Sequence, residues 1–86
     1  MTSRTLSKKQ WEIMRHIMRA NPDGSWLDLD QLVDRCSYAP SKQSMQFSIR
    51  ALVNRGLIEK KDAESRRGQM RRVLAPTALA YERCTA

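Results

Sequence analysis

The sequence predicts a mainly α, α+β fold: about four helices and a small antiparallel sheet of two or three strands. Three observations carry this. An amphipathic segment of 15 residues, SKQSMQFSIRALVNR (41–55), stops at Gly56. Two short strand-like runs follow, LIEKK and MRRVLA, separated by the basic loop DAESRRGQ. Upstream, two further amphipathic segments are bounded by serine or aspartate starts and by proline and glycine breaks.

Residues 1–5 (MTSRT) carry no pattern and are expected to be disordered. The first helix starts after Ser7, because Ser7 and Gln10 have the spacing of a capping box. At about 100° per residue, Leu6, Gln10, Trp11, Ile13, Met14, Ile17 and Met18 share one broad arc. Lys8, Glu12, Arg15, His16 and Arg19 take the other, which leaves His16 exposed. Asn21-Pro22-Asp23-Gly24 ends the helix.

Ser25-Trp26-Leu27 fits a very short strand. Asp28 then caps a second helix, with Gln31 three residues on. That helix runs to about Cys36 and aligns Leu29, Leu32, Val33 and Cys36 on one stripe, placing Cys36 in the core. Its acids, Asp30 and Asp34, fall on the outer side, which makes it a poor phosphate binder. Ser37-Tyr38-Ala39-Pro40 is a turn, and Pro40 and Ser41 start the third helix. Met45, Ser48, Ile49, Leu52 and Val53 form its inner stripe. Gly56 ends it in a left-handed conformation. Residues 57–61 are expected to pair with 70–75 in an unspecified register, with the adjacent Arg71 and Arg72 on opposite faces. Pro76 opens a last helix, 77–84, with Ala78, Leu79 and Tyr81 to pack. Residues 6–86 thus read as a single domain.

The chain has 86 residues, enough for a thin core. Its charged fraction of 29% and pI near 10.1 describe a soluble basic protein. No apolar run reaches the length of a membrane span or a secretion signal, so a cytoplasmic, nucleoid-associated location is expected. Cys36 and Cys84 lack the paired spacing of a zinc site, and His16 alone does not complete one. Both cysteines read as structural or inert thiols, and no metal or cofactor is expected. The single His has no nucleophile motif near it, and the three glycines form no phosphate-cradling loop, so the chain is not read as an enzyme.

The charge is local. Residues 42–72 hold nine Lys/Arg against three acids, a net +6 of the whole chain's +7. One surface therefore suits a polyanion. The outer face of the third helix reads Gln43, Gln46, Phe47, Arg50 and Asn54, and no Asp or Glu occurs across 41–58. Arg suits guanine and Gln or Asn suits adenine in the major groove, where base edges present a readable code. A merely solvated helix face is usually mixed in sign. Gln43, Gln46, Arg50 and Asn54 are therefore the candidate base readers. Lys42 and Ser44 stand at the helix start as phosphate contacts. Arg66 and Arg67 at the hairpin tip suit the minor groove or flanking phosphate. Lys60, Lys61, Arg71 and Arg72 line the backbone track. Phe47 has three readings: packing on an earlier helix, touching a thymine methyl, or marking a protein-contact patch.

Helix, strand, cationic hairpin tip, strand: in that order, residues 41–76 resemble a winged helix-turn-helix. Residues 51–76, ALVNRGLIEKKDAESRRGQMRRVLAP, are similar to the recognition-helix end and wing of the multiple antibiotic resistance regulators, the MarR family. The shared pieces are Leu52, Arg55-Gly56-Leu57-Ile58, Glu59-Lys60-Lys61-Asp62, Arg66-Arg67 and Val73-Leu74-Ala75-Pro76. The family's Asp-x-Arg wing element reads Glu64-Ser65-Arg66 here, which implies an ion pair buttressing Arg66. Members of that family flank the domain with long dimerisation helices, for which this chain has no room. The resemblance implies a compact DNA-binding module of the kind found in phages, plasmids and bacterial chromosomes.

The function expected is sequence-specific binding of double-stranded DNA, as a transcriptional repressor or regulator. A homodimer on a palindrome is expected, because one module reads few base pairs. Trp11, Trp26, Leu79 and Tyr81 are the apolar candidates for that contact, with core packing favoured for the tryptophans. No small-molecule ligand or membrane partner is expected. The alternatives are a protein-interaction adaptor or inhibitor on the same fold, and a replication or partition factor that binds DNA repeats.

Overall fold

The computed structural model describes residues 6–66 and 68–84, apart from the side chains of Glu64, Arg66, Gln69 and Cys84. The elements run α1 (Lys8–Arg19), β1 (Leu27–Asp28), α2 (Leu29–Arg35), α3 (Lys42–Asn54), β2 (Ile58–Arg66), β3 (Gln69–Pro76) and α4 (Ala78–Cys84). Among the described residues, four helices and a three-stranded antiparallel sheet of order β1-β3-β2 make an open α+β fold with the layout of a winged helix. The disorder expected at 1–5 concerns residues outside those described.

Local chemistry sets the helix starts. Ser7 and Gln10 form a reciprocal capping box at α1, and Asp28 and Gln31 form another at α2. The Ser41 side chain accepts from Ser44 N at 3.0 Å and caps α3. Each cap satisfies a donor that the helix cannot, worth about 1 kcal/mol. Asn21 does more than break α1. Its Nδ2 donates to Ser25 Oγ at 3.0 Å and Gln31 Oε1 at 3.3 Å, and its Oδ1 accepts from Arg35 Nη2 at 2.5 Å. One amide thus ties the end of α1 to α2.

The end of α3 is equally defined. Gly56 sits at φ +79, with Gly56 N donating to Val53 O at 2.9 Å and Leu57 N to Leu52 O at 3.0 Å. These paired bonds make a Schellman stop, and the positive φ suits only glycine without strain. Thr77 joins this corner to α4: its Oγ1 donates to Gly56 O at 2.5 Å and accepts from Ala80 N at 3.2 Å.

The core gathers Ile13, Met14 and Ile17 from α1, Leu32 from α2, Met45, Ile49 and Leu52 from α3, and Leu57, Ile58 and Leu74 from the hairpin. Burying each such side chain contributes about 1.5–3 kcal/mol. Cys36 joins them, as its helical stripe implied. Leu6 and Ala80 also belong to the cluster.

Four expectations need correction. The segment read as a basic loop, 62–69, is mostly strand: Arg66, the last residue of β2, pairs with Gln69, the first of β3. The ladder extends so far because a bulge absorbs its poor alternation. Lys60 pairs with Leu74 and Ala63 with Arg72, so Lys61 and Asp62 together oppose Val73. In α4 the buried residue is Ala80, while Ala78 and Tyr81 are exposed. Pro76 belongs to β3, and the helix starts two residues later, which rotates its phase. Trp11 is 37% exposed and Trp26 half-buried, so neither tryptophan is a core residue. His16 is half-buried rather than exposed, because it turns toward Glu12.

Candidate nucleic-acid interface

The inner stripe of α3 buries Met45, Ile49 and Leu52, which fixes the helix's rotation. Gln43, Gln46, Phe47, Arg50 and Asn54 consequently face outward, all exposed. Phe47 is 64% exposed, which removes the reading in which it packs on an earlier helix. Its ring lies 6.0 Å from the Arg50 guanidinium, a cation–π distance that restrains the arginine at the centre of the face. Lys42 and Ser44 lie in the first turn, where no acid occurs. The helix dipole adds partial positive charge there.

The cationic groups around this helix are not all free. Asp30, on α2, takes Lys42 Nζ at 3.1 Å through one oxygen and the Arg71 guanidinium through the other. The Lys42 hydrogen bond and, more weakly, the Arg71 charge hold the Asp30 carboxyl below its usual range. Arg71 is only 25% exposed. Asp30 is therefore turned into the charged surface rather than away from it, and its one negative charge is shared between Lys42, assigned to phosphate at the helix start, and Arg71 of the backbone track. Lys61 pairs with Glu59 at 3.4 Å, while Lys60 is exposed. Arg72 faces the opposite side of β3 from Arg71, as neighbours on a strand must, and donates to Lys61 O at 3.4 Å. The backbone of Arg66 ends β2, but its side chain lies outside those described, as do all of Arg67 and the proposed Glu64–Arg66 pair.

A second constellation was not legible in the sequence. Glu12 and His16 stand one turn apart on α1, with His16 Nε2 3.4 Å from Glu12 Oε2. Cys36, at the end of α2, comes up beside them. Glu12 also accepts from Ser37 N at 2.5 Å and Ser37 Oγ at 2.7 Å, which ties α1 to the turn before α3. Those two bonds hold the Glu12 carboxyl below its usual range. Burial, and next the Glu12 charge, push the Cys36 thiol up. Burial and the neighbouring thiol push Tyr38 up to about 12. The i, i+4 spacing of Glu12 and His16 was the one signal available. Nothing in the sequence brought Cys36 to them.

No helix among the described residues is long and apolar enough to cross a membrane. No protein-family model matches this chain, and no curated protein matches it.

Proposed function

We propose that this chain binds double-stranded DNA sequence-specifically and acts as a transcriptional repressor or regulator. One observation carries this: an exposed helix face presenting Gln43, Gln46, Arg50 and Asn54, with no carboxylate on the helix. An α-helix fits the major groove, and these side chains match its donor and acceptor code. Lys42, Ser44 and the positive helix end approach phosphate, and the hairpin carries further cations along the duplex. The resemblance of residues 51–76 to MarR-family wings supports the regulatory role. A homodimer would join two such helices on a palindrome. The exposed Trp11 and Tyr81, on the packed pair α1 and α4, support that surface as the dimer contact.

The exposed Phe47 favours a second reading, a protein-interaction adaptor, because a large apolar ring at the centre of a polar face suits a protein partner. Titration of random duplex DNA separates the two. A DNA binder neutralising about four phosphates binds at about 50 mM salt and loses roughly 100-fold in affinity by about 200 mM. Absence of binding at the lower salt would favour the adaptor.

A further inference from the structure

We propose that Glu12, His16 and Cys36 form a binding site for a divalent transition metal of the zinc class. One ligand atom from each lies within 4.8 Å of the other two. The 3.4 Å between His16 Nε2 and Glu12 Oε2 is the ligand separation of a tetrahedral centre, where bonds of about 2.0–2.1 Å place neighbouring N and O about 3.4 Å apart. Thiolate with imidazole and carboxylate selects zinc-like ions over magnesium or calcium, which prefer all-oxygen sites. Three protein ligands leave the fourth position to water.

The surroundings suit a bound ion. Ser37 N and Oγ hold the Glu12 carboxylate, and a carboxylate has lone pairs left after accepting both. A thiolate, a carboxylate and a neutral imidazole balance a doubly charged cation, so the half-buried cluster carries no net charge. Binding breaks the Cys36 S–H bond, forms the sulfur–metal bond and releases one proton to solvent. The Tyr38 hydroxyl is buried beside the Cys36 sulfur, with no nitrogen or oxygen partner among the described residues. A thiolate accepts a hydrogen bond far better than a thiol, so metal binding would strengthen the contact that this hydroxyl makes with the sulfur. An open recess lined by His16, Arg19, Asn21 and Arg35 exposes the imidazole member of the cluster. The ion would clamp α1 to the turn between α2 and α3, independently of whether α3 reads DNA.

The test is a Co2+ titration of chelator-treated protein carrying Cys84→Ser, which leaves one thiol. The result expected is a saturable thiolate-to-cobalt absorption at one ion per chain, bleached by Zn2+. Cys36→Ser abolishes it. His16→Ala and Glu12→Gln each weaken Co2+ by at least about tenfold, and Ser37→Ala by about tenfold through the carboxylate it orients. Glu12→Gln keeps an acceptor for Ser37, so the fold survives if His16→Ala fails to fold. A second readout is the melting temperature, raised by Zn2+ in the parent protein and unmoved by it in Cys36→Ser. Absence of a saturable band, or a band indifferent to both His16→Ala and Glu12→Gln, overturns the site.

Discussion

The Arg71 guanidinium rests against the carboxylate of Asp30, the same acid that holds Lys42 at 3.1 Å. This joins β3 to the start of α3 through a residue of α2. It also places one negative charge in the surface proposed to meet phosphate. Asp30→Asn should release both cations toward DNA. We expect duplex affinity at low salt to rise about three- to tenfold and the salt slope to steepen by about one. Stability should fall by no more than about 1 kcal/mol, since the pair is solvent-screened. Unchanged affinity would show that Lys42 and Arg71 do not approach the backbone.

Phe47 and Leu52 lie on opposite sides of one helix and should respond oppositely. Phe47→Ala removes an exposed ring and should change stability by less than about 0.5 kcal/mol. Leu52→Ala opens a cavity in the core and should cost about 2–5 kcal/mol. Urea denaturation measures both, and a Phe47→Ala loss near that of Leu52→Ala would contradict the rotation of α3.

Gly56→Ala tests the stop of the same helix. The added Cβ would meet only Leu79 Cδ2 at an ordinary 3.4 Å, so the cost is conformational. At φ +79 it should be about 1–2 kcal/mol. That lowers the melting temperature of a domain this size by about 4–16 °C. A neutral substitution would place the helix end elsewhere.

The acid side of the stability profile follows from Glu12. Its folded pKa lies below the ordinary 4.5, so the unfolded chain binds the proton more readily. Its contribution is complete above the unfolded value and is lost as pH falls through the lower, folded one. Asp30 behaves likewise from an ordinary 3.8. Glu12→Gln should therefore flatten the loss of stability that begins below about pH 4.5, measured by denaturation across pH 3–6. An unaltered acid limb would mean that the Ser37 bonds do not favour the charged carboxylate.

What could be seen in the sequence was local. The Ser7–Gln10 and Asp28–Gln31 boxes, the Ser41 cap and the Gly56 stop each depend on residues three or four apart, and each is present. The outward phase of Gln43, Gln46 and Arg50 followed from the apolar stripe behind them. Tertiary consequences stayed hidden. Periodicity places Phe47 on a face but does not say whether another element covers it. The charged run at 62–66 looks like a loop until a bulge opposite Val73 lets it pair. The partners of Asp30 and the arrival of Cys36 beside His16 depend on how separate elements dock. The short α4 had too few residues for its period to distinguish Ala80 from Ala78.

Selection of bound duplexes from a random library, run in parallel on the parent chain and Arg50→Ala, bears most directly on α3 as the base reader. The parent should enrich a symmetric motif. Arg50→Ala should lose preference at one base position per half-site, worth about 1–3 kcal/mol, while retaining salt-dependent binding to any duplex. Enrichment of the same motif by both proteins, or of none by the parent, would contradict it.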